Sequence, residues 1–268
     1  MTRSRTVFAL AAALVAAAAC TQPENTPPKS EIKTGTIRGV VRLDGAAPVI
    51  ASLPTKQDQD TCGASVPTVR LTLGKDSGVQ DAFVYLDGAP AGTPPTKTKS
   101  TASVLIDQEK CQYKPHALIV RTGSTVEMVN SDPILHNVHG TANGVNGPTT
   151  LFNIAQPVKG QRSTLPSPLD KPGIVFLSCE AGHPWMSANI LVSDHPYAAI
   201  TDSNGGFTIS DVPVGTYRLK MWHEGVALVG NNEKLQRYDY EEPYEIVREV
   251  PVEEGHETVV DFSLALRT

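Results

Sequence analysis

The chain has 268 residues, 40% of them hydrophobic, 6% aromatic and 19% charged, with a formal charge of −5. No run of Lys or Arg occurs in it, which excludes nucleic acid as a natural partner. Its acidic balance suits a basic protein partner drawn in by opposite charge, and its length allows one large or two small domains on the rule of roughly 100–200 residues each.

The first residues read as an export signal: "MTRSR" is basic, Val7 to Ala19 is an unbroken apolar run, and small residues lead up to Cys20. The run is too short for a hydrocarbon core that needs roughly 20 residues, so residues 1–19 are read as a cleaved signal peptide. "AAAC" resembles the lipobox of bacterial lipoproteins, which implies lipidation at Cys20 and an exported protein anchored by lipid alone, facing the periplasm or cell surface. Cleavage removes Arg3 and Arg5, leaving 21 basic residues against 28 acidic and a formal charge of −7. Residues 20–34, polar and Pro-containing, read as a disordered tether.

Beyond the tether, short runs rich in Val, Ile, Leu, Thr and Phe alternate with Gly, Pro, Asp and Asn clusters, the pattern of an all-β protein. Strands are expected in "TIRGVVRL", "TVRLTL", "DAFVYLDG", "ASVLIDQ", "HALIVRTG", "STVEMVNS", "GIVFLSC", "SANILVSD", "AAITDS", "GFTISDV", "GTYRLKMWHE" and "ETVVDFSL". The polar stretch "GNNEKLQRYDYEEPYEIVRE" reads as a long loop with room for one short strand.

The C-terminal "AAITDSNGGFTISDVPVGTYRLKMWHEG" resembles the second half of a carboxypeptidase regulatory-like domain, a transthyretin-type β-sandwich. Asn204, Gly205 and Gly206 suit a tight hairpin, and Pro213 with Gly215 a second turn. The family's opening strands are matched far upstream, in "GTIRGVVRLDGAAPV" and "VQDAFVYLDG". The resemblance therefore implies a discontinuous sandwich, residues 35–92 and 195–268, interrupted by an insertion at the Pro- and Thr-rich "GAPAGTPPTKTKS". The inserted segment, residues 100–194, resembles a plastocyanin-like cupredoxin with a Greek-key β-sandwich fold.

That second resemblance implies one mononuclear copper. Such a site takes two imidazoles and a thiolate in a near-trigonal set, with a weak axial thioether. "CEAGHPWM" supplies Cys179, His183 and Met186, and the "HN" of "LHNVHG" supplies His136 on a distant loop. Asn137 then steadies the thiolate loop by hydrogen bonds, and Trp185 shields the metal from water. The loop runs C-x3-H-x2-M where plastocyanin-like loops run C-x2-H-x4-M. Its short His-to-Met step is similar to the dinuclear copper loop of cytochrome oxidase, but Val175 stands where that loop has its first cysteine. His139 competes with His136; three residues apart on an extended segment, they face opposite ways, and the "HN" match favours His136.

Cys62 and Cys111 remain, in an oxidising compartment. A disulfide between them is the economical reading; two buried free thiols, or a second metal site of Cys111 with His116, are the alternatives. His195 and His223 read as interface or turn residues and His256 as a solvated one. With no G-x-S-x-G elbow, P-loop or H-E-x-x-H pair, the sequence reads as non-enzymatic. The leading function is one-electron transfer with a redox partner protein, such as a cytochrome c or a membrane electron-transfer complex. Copper delivery or storage, and a non-redox cell-surface binding module, are the competing readings.

Overall fold

The computed structural model describes residues 32–91, 93, 104–144, 147–232 and 237–267, nearly all as strand or connecting turn. Cys20 and the rest of the expected signal and tether up to residue 31 lie outside the described residues, as does most of the Pro- and Thr-rich connection. Among the described residues no helix is long and apolar enough to cross a membrane.

Two β-sandwiches occupy one compact unit, Lys33–Thr268. In the first, the strand Thr34–Asp44 pairs antiparallel with Gly206–Pro213 and parallel with Glu257–Val259 and Phe262–Ala265, so distant parts of the chain share a sheet. Its facing sheet runs Ala198–Ile200, Phe83–Leu86, Gly215–His223, Tyr244–Val252. Alternation in the sequence drives this: Ile37, Val41, Val84, Leu86, Leu219, Met221, Phe262 and Leu264 point inward as one apolar cluster. The tight turn at Asn204–Gly206 forms, but the strands it joins, Ala198–Ile200 and Gly206–Pro213, lie in different sheets, so it is not the hairpin expected. The Asp202 carboxylate accepts from the Asn204 and Gly206 N–H groups at 2.8 and 2.9 Å, and Gly205 takes φ +79°.

The second sandwich stacks a five-stranded sheet on a four-stranded one. The larger runs Gly147–Gln156, His136–Gly144, Gly173–Ser178, Ser187–Ser193, Ala117–Arg121; the smaller runs Arg162–Thr164, Val126–Asn130, Val104–Gln108, Tyr113–Lys114. Ile106, Met128, Val138, Leu177 and Ile190 fill the space between. The strand Ser187–Ser193 is buried along almost its whole length, the mark of a strand covered on both faces. What covers its other face is the first sandwich: Phe83 and Trp222 meet Ala117, Leu191 and Phe176 in a third cluster, with ring centroids 5.5 Å apart for Phe83–Trp222 and 6.0 Å for Phe176–Trp222.

Three further expectations need correcting. "TVRLTL" forms no strand, only an isolated bridge from Leu73 to Val79; a tight turn follows at once, and at Gly78 a Cβ would come within 1.9 Å of the Asn204 carbonyl oxygen. The stretch read as a long loop is instead a hairpin, Leu228–Asn232 with Arg237–Tyr240, followed by the nine-residue strand Tyr244–Val252. "HN" lies at the head of a strand, not on a loop, and His136–Gly144 with Gly147–Gln156 forms a hairpin whose Asn, Gly and Thr content hid it. One further stretch departs from its sequence neighbours. The small hairpin Leu53–Pro54 with Ser65–Val66, carrying the helical turn Gln59–Cys62, packs on the second sandwich through Leu53, Cys62 and Val66.

Candidate metal centre

Strand register builds the site. Ser178 pairs with Ser187 across one hairpin and with His139 across the neighbouring strand, so Cys179 leaves its strand opposite the segment that begins at His136. The eight residues from Cys179 to Met186 must then turn back within one strand spacing. Gly182 permits this with φ +86°, and a side chain there would collide with the Gln57 amide, which donates to the Ala181 carbonyl at 2.8 Å. The Met186 N–H closes the turn on the His183 carbonyl at 3.0 Å.

Three ligand-type atoms converge at the end of this construction. His136 Nδ1 and His183 Nδ1 are 3.1 Å apart, and Cys179 Sγ lies 4.0 Å from the first and 3.6 Å from the second. A point about 2.1 Å from all three atoms follows from these distances, against the roughly 2.0–2.3 Å at which imidazole nitrogen and thiolate sulfur bind a divalent first-row ion. All three residues are 0% exposed; Met186 at 2% and Trp185 at 7% share the surrounding apolar cluster. Trp185 sets its ring edge-on to His183, centroids 5.4 Å apart, and donates Nε1–H to the Cys111 carbonyl at 3.0 Å.

Protonation follows from the outer partners. His136 Nε2 sits 3.0 Å from an Asp132 carboxylate oxygen and His183 Nε2 3.0 Å from one of Asp58. Ionised carboxylates only accept, so each Nε2 carries the proton and each Nδ1 keeps its lone pair. Two lone pairs then face each other across 3.1 Å beside a sulfur, a donor set suited to a shared cation. Burial, and next the nearness of His136, lower the His183 pKa. The Asp132 carboxyl is below the usual range despite its burial, held there by His136 and by N–H groups of Cys111 and Lys110 at 2.8 and 2.9 Å.

Burial pushes the Cys179 thiol up to about 11, against backbone donors from Asn137 and Ala181 and the Tyr113 hydroxyl. A sealed thiol of that kind is no nucleophile, whereas a bound metal deprotonates a thiol outright. The Asn137 side-chain oxygen accepts from the Glu180 N–H at 2.6 Å, and its amide donates to Asn153 at 2.7 Å.

Other histidines are engaged elsewhere. His139 faces away from the three-atom centre, bonded to Glu180 at 2.8 Å and Thr150 at 2.9 Å. His195 bonds the Leu86 carbonyl and His223 the Glu224 carbonyl; His256 is exposed. Cys62 and Cys111 form a disulfide, Cα atoms 5.3 Å apart. Cys111 is thus closed to the alternative pairing with His116, whose ring is bonded to Glu224 and to the Ser187 carbonyl. Sequence reasoning missed Asp132, Asp58 and Tyr113. Asp132, four residues before His136, was within reach of a spacing argument; Asp58, 125 residues from His183, was not.

No curated protein matches the chain. Residues 173–235 match the family model described as polysaccharide lyase family 4, domain II. Similar solved structures include a variant of amicyanin in its reduced Cu(I) form at pH 4, 24% identical, covering 41% of this chain and 98% of amicyanin with a TM-score of 0.30. A purple cupredoxin from Nitrosopumilus maritimus is 25% identical over 34% of this chain and 100% of its own, TM-score 0.28. A Cu-containing nitrite reductase from Thermus scotoductus is 24% identical over 34% of this chain and 22% of its own length, TM-score 0.27.

Proposed function

We propose that the protein holds one copper ion at His136, Cys179 and His183, with Met186 as the weak axial group, and serves as a one-electron carrier of the cell envelope. The observation that carries this reading is the meeting of two imidazole Nδ1 atoms and one thiol sulfur around a single buried point. Two nitrogens and one sulfur form the donor set of a copper electron-transfer centre. When bound, the ion supplies exchange of one electron between Cu(II) and Cu(I). Everything else is done by the chain. His136 and His183 are fixed in tautomer by Asp132 and Asp58, Asn137 holds the thiolate loop, and Trp185 and the apolar cluster keep water out.

Burial also supports one of the competing readings. A site whose donors are fully buried leaves no face for a substrate, and a loop braced from both sides is poorly suited to handing its ion over. Both facts favour a carrier over a catalyst or a delivery protein. The pairing of Thr34–Asp44 with Gly206–Pro213 supports reading the copper sandwich as an insertion within a carboxypeptidase regulatory-like sandwich. In this account Cys20 carries a lipid anchor, and the acidic body meets a basic redox protein, such as a cytochrome c, at the membrane surface. Voltammetry of the copper-loaded protein tests the carrier: a reversible one-electron couple with the ion retained over repeated cycles is expected, and loss of copper on reduction contradicts it.

A further inference from the structure

The imidazole of His183 is held from behind by a residue that belongs to neither strand of its own hairpin. Asp58 comes from the Leu53–Val66 segment, whose strands join neither sheet of the copper sandwich, and it reaches His183 Nε2 at 3.0 Å. The segment is fastened to the ligand region at three points. Gln57 donates to the Ala181 carbonyl inside the ligand loop, Asp58 bonds His183, and Cys62 is covalently joined to Cys111. Between the second and third points the helical turn is short and fully bonded: the Thr61 and Cys62 N–H groups both donate to the Asp58 carbonyl at 2.9 Å. Asp58 itself takes φ +54°, a left-handed conformation that Asp tolerates better than most residues.

The disulfide serves the second imidazole as well. The Cys111 N–H donates to the Asp132 carboxylate at 2.8 Å, and that carboxylate bonds His136. One covalent link therefore ties the loop that carries Asp58 to the turn whose N–H groups hold Asp132. The sulfur atoms of Cys62 and Cys111 lie within 4.8 Å of each other and of a His183 ring nitrogen. The side chain of Asp58 is 35% exposed while that of His183 is 0%, so Asp58 stands between this imidazole and solvent.

Resting on the copper reading above, we propose that Asp58 is a positioning residue for His183, clamped in place by the Cys62–Cys111 bond. Its carboxylate keeps the proton on Nε2 and the lone pair on Nδ1, and its negative charge, passed through the imidazole, stabilises Cu(II) over Cu(I). Without it the ring is free to turn, and a chelator gains a path to the ion.

Three variants and three readouts test this, Asp58 lying on a surface turn whose substitution spares the core. Nitrogen-15 NMR of the metal-free protein reads the His183 tautomer directly: a protonated Nε2 is expected in the parent protein, with a mixture of tautomers in Asp58→Ala and after reduction of the disulfide. In the copper-loaded protein, Asp58→Asn is expected to shift the Cu(I)-to-Cu(II) affinity ratio about tenfold towards Cu(I), a rise of about 59 mV for a one-electron couple. Asp58→Ala is expected to lose copper to a chelator about 10–100-fold faster, and Asp58→Glu to recover part of both effects. Unchanged tautomer, potential and copper loss in Asp58→Ala and Asp58→Asn overturn the proposal. Failure of the parent protein to bind copper through Cys179 overturns the copper reading instead, and the NMR result then stands or falls by itself.

Discussion

His136 Nδ1 and His183 Nδ1 stand 3.1 Å apart with both Nε2 atoms turned outward onto carboxylates, although the two residues are 47 positions apart in the chain. Each imidazole is thereby locked with its lone pair inward. An ion entering here would find both nitrogens already facing it, with the Cys179 proton to be displaced. The remaining predictions concern what supports this arrangement.

Asn137 is the first support. Its side-chain oxygen is the acceptor for the Glu180 N–H beside Cys179, and replacement by Ala leaves that donor unpaired in a largely buried place. Asn137→Ala is expected to lower stability by about 1–3 kcal/mol, measured by urea unfolding. It should also broaden the thiolate absorption of the copper form as the loop loosens.

The contact between the sandwiches is a second. Trp222 fills the layer between Phe83 and Phe176, so Trp222→Ala opens a cavity costing about 3–5 kcal/mol. The copper spectrum should be unchanged, because Trp222 touches the back of the sheet and not the ligand loop. A spectral change without loss of stability would show that the interface reaches the metal.

A buried charge cluster gives the pH dependence. Glu224 is paired with Arg70 and His116, and Arg70 stacks on the Tyr240 ring at 3.6 Å. Burial alone would raise the Glu224 carboxyl, but Arg70 and His116 hold it far below its ordinary 4.5; burial alone would lower His116, but Glu224 raises it above its ordinary 6.5. Asp81, His223 and Tyr240 complete the surroundings of these groups. The Glu224 contribution to stability is fully present above 4.5 and is lost only as pH falls through the much lower folded value. The His116 contribution is fully present below 6.5 and is lost as pH rises through the raised folded value. Glu224→Gln leaves Arg70 and His116 without a counter-charge and is expected to cost about 3–5 kcal/mol. His116→Gln should remove the decline on the alkaline side of neutrality, read from urea midpoints across pH.

Much of the site was legible in the sequence because its ligands lie in one eight-residue loop and one "HN" pair, and a loop closing a hairpin must bring its ends together. Alternating strands such as Thr34–Asp44 were legible for the same local reason. The strand Tyr244–Val252 was not, since Arg248 stands in the row of Tyr244, Ile246, Val250 and Val252 and Val247 in the exposed row, and the strand is fixed by pairing with Gly215–His223. Asp58 was invisible because nothing local marks it: its contact with His183 spans 125 residues, on a segment that a disulfide also joins to the second sandwich.

The most direct test of the copper centre is the visible spectrum of the Cu(II)-loaded protein beside that of Cys179→Ser. An intense thiolate-to-copper band between about 400 and 600 nm, at one copper per chain and absent from the variant, is the predicted result. A colourless protein, or a band that survives the loss of Cys179, would contradict it.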